Sequence, residues 1–288
     1  MRKGRSQMAK RVRLAILFFL AAFLIIACSL PNWLSTQLQD FLNGGTSSQS
    51  LTQIAAPNEV AESEQPSLSG EIKIHVVDRV VAIESESPDF MIEGTWPNLK
   101  GPEAVVKTFN QEINCLIEDV QEEFLAAVKA QGPDQEGQGR APISSLRFDY
   151  ALTNSDGRIF SFFLTFDQYV AISVHPFPFS HGLNYDVEYG EMIHLEELFL
   201  PGTNPLQRIA QHIDPILARR SFGYETGRAV EVMQQRENWN LLPEGLRINF
   251  DVYEVGPYAA GPQAVMIPWE SLTDLLDPAG PTGNLITP

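Results

Sequence analysis

The chain has 288 residues, of which 20 are basic and 36 are acidic, giving a formal net charge of −16. This acidity argues against nucleic acid as a ligand, because phosphate recognition requires patches of Lys and Arg. Two cysteines are too few for a disulfide-stapled scaffold, and the length allows one large or two small domains.

The first 28 residues have the pattern of a bacterial export signal. Six basic residues precede an uncharged apolar run, Leu14–Ala27, which ends at Cys28. A basic head, a short apolar stretch and a small residue before the cleavage point define a secretory signal. The tetrapeptide Ile25-Ile26-Ala27-Cys28 resembles a lipobox, in which the cysteine is lipidated and becomes the new N-terminus. We therefore predict a lipid-anchored bacterial membrane protein whose folded part is extracytoplasmic.

An uncleaved single-pass anchor is the alternative, and a soluble secreted product is a third. As a helix, the fourteen residues of Leu14–Ala27 span about 21 Å. The hydrocarbon core of a bilayer is about 30 Å thick, so the run is short for a full span. In every case the basic flank stays cytoplasmic, and the rest of the chain is exported.

Removal of the basic head makes the remaining chain more acidic. None of the 36 acidic residues and six of the 20 basic ones precede Cys28, which leaves 14 basic residues and a net charge of −22. Such a surface attracts cationic proteins or peptides and disfavours contact with anionic lipid. Solubility alone is the alternative explanation.

The chain after the signal divides into four segments by composition. Residues 29–70 are polar and rich in Ser, Gly and Glu, which is typical of a flexible tether. An N-terminal α+β module is expected at 71–170 and a C-terminal module at 171–276, followed by a frayed tail at 277–288.

The N-terminal module begins with predicted strands at 71–84 and 90–95, followed by a helix at 102–130. Apolar residues of this helix recur at steps of three and four, which indicates one apolar stripe lying on a sheet. They are Val106, Phe109, Ile113, Ile117, Val120, Phe124 and Val128. Strands at 146–152 and 159–166 then flank Asp156-Gly157, a dipeptide that favours a tight hairpin turn.

The C-terminal module mixes short strands and helices. We predict strands at 169–174, 185–189, 246–253 and 264–267, and helices at 196–198, 205–220, 226–236 and 269–276. Because βαβ regularity is absent, the predicted fold is α+β, with mainly antiparallel sheets packed against one long helix and several shorter ones.

A family resemblance rests on the C-terminal module. The runs Phe250–Gly261 (FDVYEVGPYAAG) and Val265–Pro268 (VMIP), with Ser180-His181-Gly182 and Leu195–Phe199 upstream, resemble the C-terminal domain of RsiV-type anti-sigma factors, which sense lysozyme. Thr95–Leu99 (TWPNL) and the long helix are similar to the companion N-terminal module, which also accompanies peptidoglycan deacetylases.

This resemblance implies an extracytoplasmic α+β sensor or binding domain. Only 13 residues precede the apolar run, too few to bind a sigma factor, so anti-sigma signalling is not carried over. A deacetylase metal motif has a second Asp at the position of Gln168, after Thr165-Phe166-Asp167. The resemblance therefore does not imply deacetylase activity either. We expect no enzymatic activity, cofactor or metal.

Two segments supply candidate ligand-binding residues. The first is His181, Gly182 and Tyr185, in a predicted loop rich in aromatic residues. The second is Tyr253, Glu254 and Tyr258, in a loop bracketed by Gly-Pro pairs. In both segments the alternative is a turn whose aromatic residues cap the core. Cys115 is interpreted as a buried small hydrophobe and not as a nucleophile.

The sequence leads to three hypotheses about function. The first is a tethered binding or sensing module whose ligand is a cationic protein such as lysozyme, or peptidoglycan. The second is a structural surface lipoprotein. The third is an envelope hydrolase, which requires Glu191, His181 and Glu254 to converge in one cleft. The oligomeric state is left open.

Overall fold

The computed structural model describes residues 73–131, 143–171 and 173–283. The predicted signal, Cys28 and the tether lie outside these residues. Within them, no helix has both the length and the apolar character needed to cross a bilayer. The predicted α+β class is confirmed, with one six-stranded and one three-stranded sheet.

The six strands of the larger sheet follow chain order, and only one neighbouring pair is parallel. The strands are β1 (His75–Glu86), β2 (Asp89–Lys100), β3 (Ser144–Ser155), β4 (Ile159–Tyr169), β5 (Phe177–Asp186) and β6 (Glu191–Met192). The long helix α1 (Glu103–Ala130) connects β2 to β3, and such a crossover is what allows these two strands to run parallel.

Helix α1 covers one face of this sheet. Its buried residues are the seven of the predicted stripe, so the helix prediction is confirmed in position and in face. Aromatic rings fill the interface: Phe124 meets Phe90 at 6.1 Å between centroids, and Phe109 meets Phe162 at 5.0 Å. Asn110 fixes the helix to β2, because its amide both accepts from the Leu99 N–H and donates to the Leu99 carbonyl.

The predicted hairpin joins β3 and β4. Gly157 has a φ of +93°, which the turn requires and which glycine adopts without a Cβ clash. The Asp156 carboxylate accepts hydrogen bonds from the backbone N–H groups of Arg158 and Ile159. Both residues of the Asp-Gly signal therefore have a physical role.

The smaller sheet and two helices enclose a second core. The strands are β7 (Trp239–Leu242), β8 (Gly245–Phe250) and β9 (Gln263–Pro268), and the helices are α2 (Pro205–Ala218) and α3 (Arg228–Gln235). Short 3-10 turns occur at Leu195–Leu198, Tyr258–Ala260 and Trp269–Ser271. Buried residues of all these strands and helices pack into one cluster, which includes Ile213, Trp239, Ile248 and Ile267.

Strand β7 lies against β4 and β5 through polar contacts. Asn240 donates to the Phe162 carbonyl at 2.8 Å, and Asn184 donates to the Trp239 carbonyl at 3.0 Å. A Cβ at Gly182 would lie 2.1 Å from that Trp239 oxygen, so only glycine allows this approach. The module boundary expected at residue 170 falls between β4 and β5, which are paired strands of one sheet.

Several secondary-structure predictions were wrong. Among the described residues of the segment 169–174, Tyr169 alone belongs to a strand, and the expected loop around His181 is the strand β5. The expected helix at 269–276 is a 3-10 turn followed by turns, because its end pairs with an upstream segment: Leu276 forms a bridge with Phe199, and the Leu275 carbonyl accepts from Leu200. Residues 277–283, expected to be frayed, form hydrogen-bonded turns with Thr282 buried.

Candidate functional site

A surface cluster of three aromatic side chains joins two loops. We call His175, Tyr253 and Tyr258 the aromatic cluster. The rings of His175 and Tyr258 stack at 3.7 Å between centroids, and the Tyr253 ring lies 5.7 Å from that of Tyr258. The Tyr258 hydroxyl donates to the Pro176 carbonyl at 2.8 Å, and the Tyr253 hydroxyl lies 3.3 Å from His175 Nε2.

Tyr253 has an unfavourable backbone conformation. Its φ is +70°, which makes it the one non-glycine residue with positive φ in the described chain. A left-handed conformation costs an L-residue about 1–2 kcal/mol, and such residues concentrate at functional sites. The side chain held in this way is 54% exposed. The fold therefore presents an aromatic ring to solvent at a cost to its free energy of folding.

The aromatic cluster borders an open groove of about 820 Å³ on the sheet. The groove lies on the face of the larger sheet that is opposite α1. The smaller sheet does not cover this end of that face. We call it the open sheet face. One row of paired residues crosses it from β1 to β5: Ala82, Glu93, Arg147, Asp167 and Pro178. Pro176, Pro178 and Tyr258 form its rim.

The charge of the open sheet face is mainly negative. Glu93, Asp149 and Asp167 line it together with one cation, Arg147. Arg147 lies 3.5 Å from Glu93, and because both side chains are largely exposed this pair is weak. Asp149 and Asp167 line the same groove, and a basic side chain of a ligand would meet them there.

A second polar cluster lies behind the aromatic loop and centres on Arg236. Its guanidinium donates to the Asp251 carboxylate, to Glu254 at 3.1 Å and to the Ser180 carbonyl. Ser180 also donates its hydroxyl to Asp251 at 2.7 Å. Asp251 and Glu254 belong to the turn that contains Tyr253, so these contacts fix the strained turn to β5.

Burial and charge shift the pKa values of this cluster. Burial raises the pKa of Glu254, while Arg236 opposes that effect. Burial lowers the pKa of His181 to about 4, and the nearby positive charge of Arg236 acts in the same direction. His181 is therefore neutral at pH 7.

The predicted site residues fall into four environments. Tyr253 and Tyr258 come together at the surface, whereas Glu254 and His181 both lie near Arg236. Gly182 has a packing role against Trp239.

Tyr185 is fully buried and donates to the Val105 carbonyl of α1, so its hydroxyl and ring are not available to a ligand in solution. Cys115 on α1 is half-buried, not in the core as expected.

The arrangement required for the hydrolase does not form. Glu191 pairs with Asp186 at the far end of β5, five residues along the strand from His181. Among the residues that the structure describes, no group of three or more His, Cys, Asp or Glu side chains has the proximity needed to hold a metal ion.

His175 is the member of the aromatic cluster that the sequence did not single out. It was one of several scattered histidines, and neither spacing nor a motif linked it to Tyr253 and Tyr258, which follow 78 and 83 positions later. The only sequence signal was its position at the start of the aromatic run Pro176–Phe179.

Part of this site lies in a segment with a known family signature. Residues 196–270 match the family described as "Protein of unknown function (DUF3298)". This DUF3298 segment contains α2, α3 and all of the smaller sheet, as well as Arg236, Tyr253 and Tyr258. No curated protein matches the chain.

Two solved structures of DUF3298 proteins match the chain. A protein from Bacteroides fragilis is 13% identical, with a TM-score of 0.54 over 76% of this chain and 98% of its own. A protein from Pseudomonas aeruginosa is 15% identical, with a TM-score of 0.46 over 75% of this chain and 97% of its own. At this identity the first similarity establishes the fold alone. The fold of the matched 76% of the chain is thus similar to that of a DUF3298 protein.

Proposed function

We propose that this protein is an extracytoplasmic binding module tethered to a bacterial membrane, and that its ligand is a cationic protein such as lysozyme. The observation that carries the proposal is the aromatic cluster beside the carboxylates of the open sheet face. Exposed Tyr253 and half-buried Tyr258, next to acidic side chains, suit a basic protein surface, because Arg and Lys bind both carboxylates and aromatic faces. The resemblance to RsiV-type domains and the net charge of −22 after Cys28 support the same ligand class.

Binding of lysozyme to the immobilised full-length chain tests the ligand. We expect retention at about 50 mM salt and marked weakening at about 500 mM, because added salt screens the charges of both surfaces. Tyr258→Ala should weaken binding about 10- to 100-fold, the range of a central aromatic contact. Tyr189→Ala is the control, since Tyr189 is an exposed tyrosine that lies on the turn between β5 and β6.

Two results would contradict this assignment. Binding of isolated peptidoglycan without binding of lysozyme would change the ligand class from a cationic protein to a glycan. Equal loss of lysozyme binding in Tyr258→Ala and Tyr189→Ala would show that the aromatic cluster is not the contact surface.

The membrane tether requires a separate test. We expect the chain to fractionate with membranes and Cys28→Ala to lose the lipid, which mass spectrometry and electrophoretic mobility can detect. Unchanged membrane association and mobility in Cys28→Ala would indicate that Leu14–Ala27 acts as an uncleaved anchor.

A further inference from the structure

Strand β1 presents a long unpaired edge. It is the outermost strand of the six-stranded sheet, and in the described part of the chain its backbone pairs with β2 alone. The pairing continues from His75 to Glu86 without a register shift. From His75 to Ser85, the outer edge of β1 therefore offers a regular row of N–H and C=O groups that pair with no other strand among the described residues. Val80, at its centre, is 67% exposed.

Side chains form hydrogen bonds to backbone groups on both edges of the smaller sheet. On β9, the Ala264 carbonyl accepts from the Arg220 guanidinium at 3.0 Å. On β7, the Leu241 N–H donates to Ser161 at 3.1 Å, and the Trp239 carbonyl accepts from Asn184 at 3.0 Å. The other end of the larger sheet is β6, which has two residues.

Proteins normally protect a long edge with Pro, charged side chains, a bulge or a covering segment. β1 contains no Pro, and its pairing with β2 has no bulge. Its charged side chains are mainly acidic, with Asp78, Glu84 and Glu86 against one cation, Arg79, so they oppose the addition of an acidic strand more than of a basic one. β1 therefore has the properties of a template for a basic added strand.

The side chains of β1 specify the charge of such a strand. Val80, Ala82 and Glu84 alternate on one side of β1, and Glu93 of β2 lies directly opposite Ala82. Asp78 lies on the same side but already accepts a hydrogen bond from the Tyr150 hydroxyl at 2.6 Å. An added strand with a basic residue toward Glu84, and small apolar residues toward Val80 and Ala82, would be complementary across the pair.

We propose that β1 accepts an extended cationic segment of the ligand protein as a seventh strand of the sheet. The inference rests on the proposed function, since it identifies how a segment of that ligand is held. Backbone hydrogen bonds supply affinity in this binding mode, and alternate side chains supply specificity. The row from Ala82 to Pro178 crosses four strand spacings, or about 19 Å, so one protein can contact both β1 and the aromatic cluster.

Charge argues against two other occupants of this edge. Residues 53–72, which precede β1 in the chain, contain four Glu and no Lys or Arg, so they would add acidic side chains beside Asp78 and Glu84. A second copy of the chain carries the same net charge of −22 after Cys28 and would be repelled.

Hydrogen–deuterium exchange of the full-length chain in detergent tests the proposal. One probe is a 12-residue peptide in which Lys and Val alternate, and its control has the same composition with Lys and Val in pairs, which places Lys on both faces of a strand. We expect the alternating peptide to slow exchange in residues 75–86 at least tenfold and the paired peptide to have less than a twofold effect. Lysozyme is the third probe.

Val80→Lys with Ala82→Lys places two cations on the exposed side of β1. This variant should weaken binding of the alternating peptide at least tenfold, whereas Met266→Lys, at a half-exposed position of β9, should change it less than twofold. Both side chains of the double variant lie on the exposed face of β1, so the fold should be retained, and circular dichroism checks this.

The outcomes separate the two proposals. Lysozyme binding without protection of residues 75–86 would overturn the strand-addition proposal and leave the proposed function intact. Failure of both lysozyme and the peptide to bind would overturn both. Protection at β1 by lysozyme and by the alternating peptide, lost in the double Lys variant, is the result that the structure leads us to expect.

Discussion

The two faces of β4 bury their residues by different means. On the α1 side, the strand contributes rings that contact other rings: Phe162 lies 5.0 Å from Phe109, and Phe166 lies 5.7 Å from Phe148. On the other side, buried Ser161 is hydrogen-bonded to Asn184, Asn240 and the Leu241 N–H. The apolar face tolerates side chains of different shape but similar volume. The hydrogen bonds of the other face form in only one alignment of β7 with β4 and β5. The first supplies stability, and the second places the aromatic loop relative to the sheet.

The largest effect is expected on the apolar face. Phe109→Ala removes a fully buried ring that contacts both Phe162 and Tyr185. Loss of such a ring destabilises a protein by about 3–5 kcal/mol. Urea unfolding monitored by tryptophan fluorescence measures this. Val80→Ala, at an exposed position, is the control and should change the free energy of unfolding by less than about 0.5 kcal/mol.

The next largest effect concerns pH near Arg236. The pKa of His181 is about 4 in the fold, below its ordinary value of 6.5, so folding favours the neutral ring. The resulting stabilisation is fully present above pH 6.5 and is lost as the pH falls through about 4, up to about 3 kcal/mol.

His181→Leu should therefore flatten the loss of stability between pH 7 and pH 4.5, as measured by urea unfolding. His75→Leu, at an exposed position, is the control. An identical pH dependence in wild type and His181→Leu would show that His181 does not titrate in this way.

A smaller effect is expected on the hydrogen-bonded face. Ser161→Ala removes the hydroxyl that Asn240 and the Leu241 N–H share, although each has a second acceptor, the Phe162 carbonyl and Asn184 respectively. We expect a loss of about 1–2 kcal/mol. In a double-mutant cycle with Asn240→Ala the two losses should be non-additive by at least about 0.5 kcal/mol. Strict additivity would mean that these residues do not form one network.

The smallest effect should be a gain in stability. Tyr253→Gly removes the steric cost of a φ of +70° and should stabilise the fold by about 1 kcal/mol while weakening lysozyme binding. Tyr189→Gly, an exposed tyrosine whose φ is not positive, should give no such gain in thermal unfolding. A loss of stability in Tyr253→Gly would indicate that ring contacts in the aromatic cluster outweigh the backbone strain.

The comparison of the two faces also explains what the sequence could predict. Helix α1 was predicted in full because an apolar stripe has a period of 3.6 residues that no other structure produces. Strand β7 was missed, since its Asn240 is buried through hydrogen bonds and breaks the apolar pattern. In β5, Pro178 and Gly182 resemble loop residues, yet the pairing of β5 with β4 tolerates the proline and the approach of Trp239 requires the glycine.

The candidate site was predictable only within one loop. Tyr253 and Tyr258 were found because they are close in sequence, and His175 was not because the fold alone brings it to them. Likewise, the open sheet face is assembled from residues of β1 to β5, and its row from Ala82 to Pro178 exists only in the register of the paired strands.

The bridge between Phe199 and Leu276 has a consequence for the length of chain that can fold. The DUF3298 match ends at residue 270, but the buried Leu272 and Leu276 close the second core six residues later. A chain truncated after residue 270 would expose Phe199 and leave the Leu200 N–H without its acceptor. If residues 196–270 were excised alone, Trp239 and Asn240 would also lose their hydrogen-bond partners on β5 and β4. The segment that matches the family is therefore smaller than the segment that we expect to survive proteolysis intact.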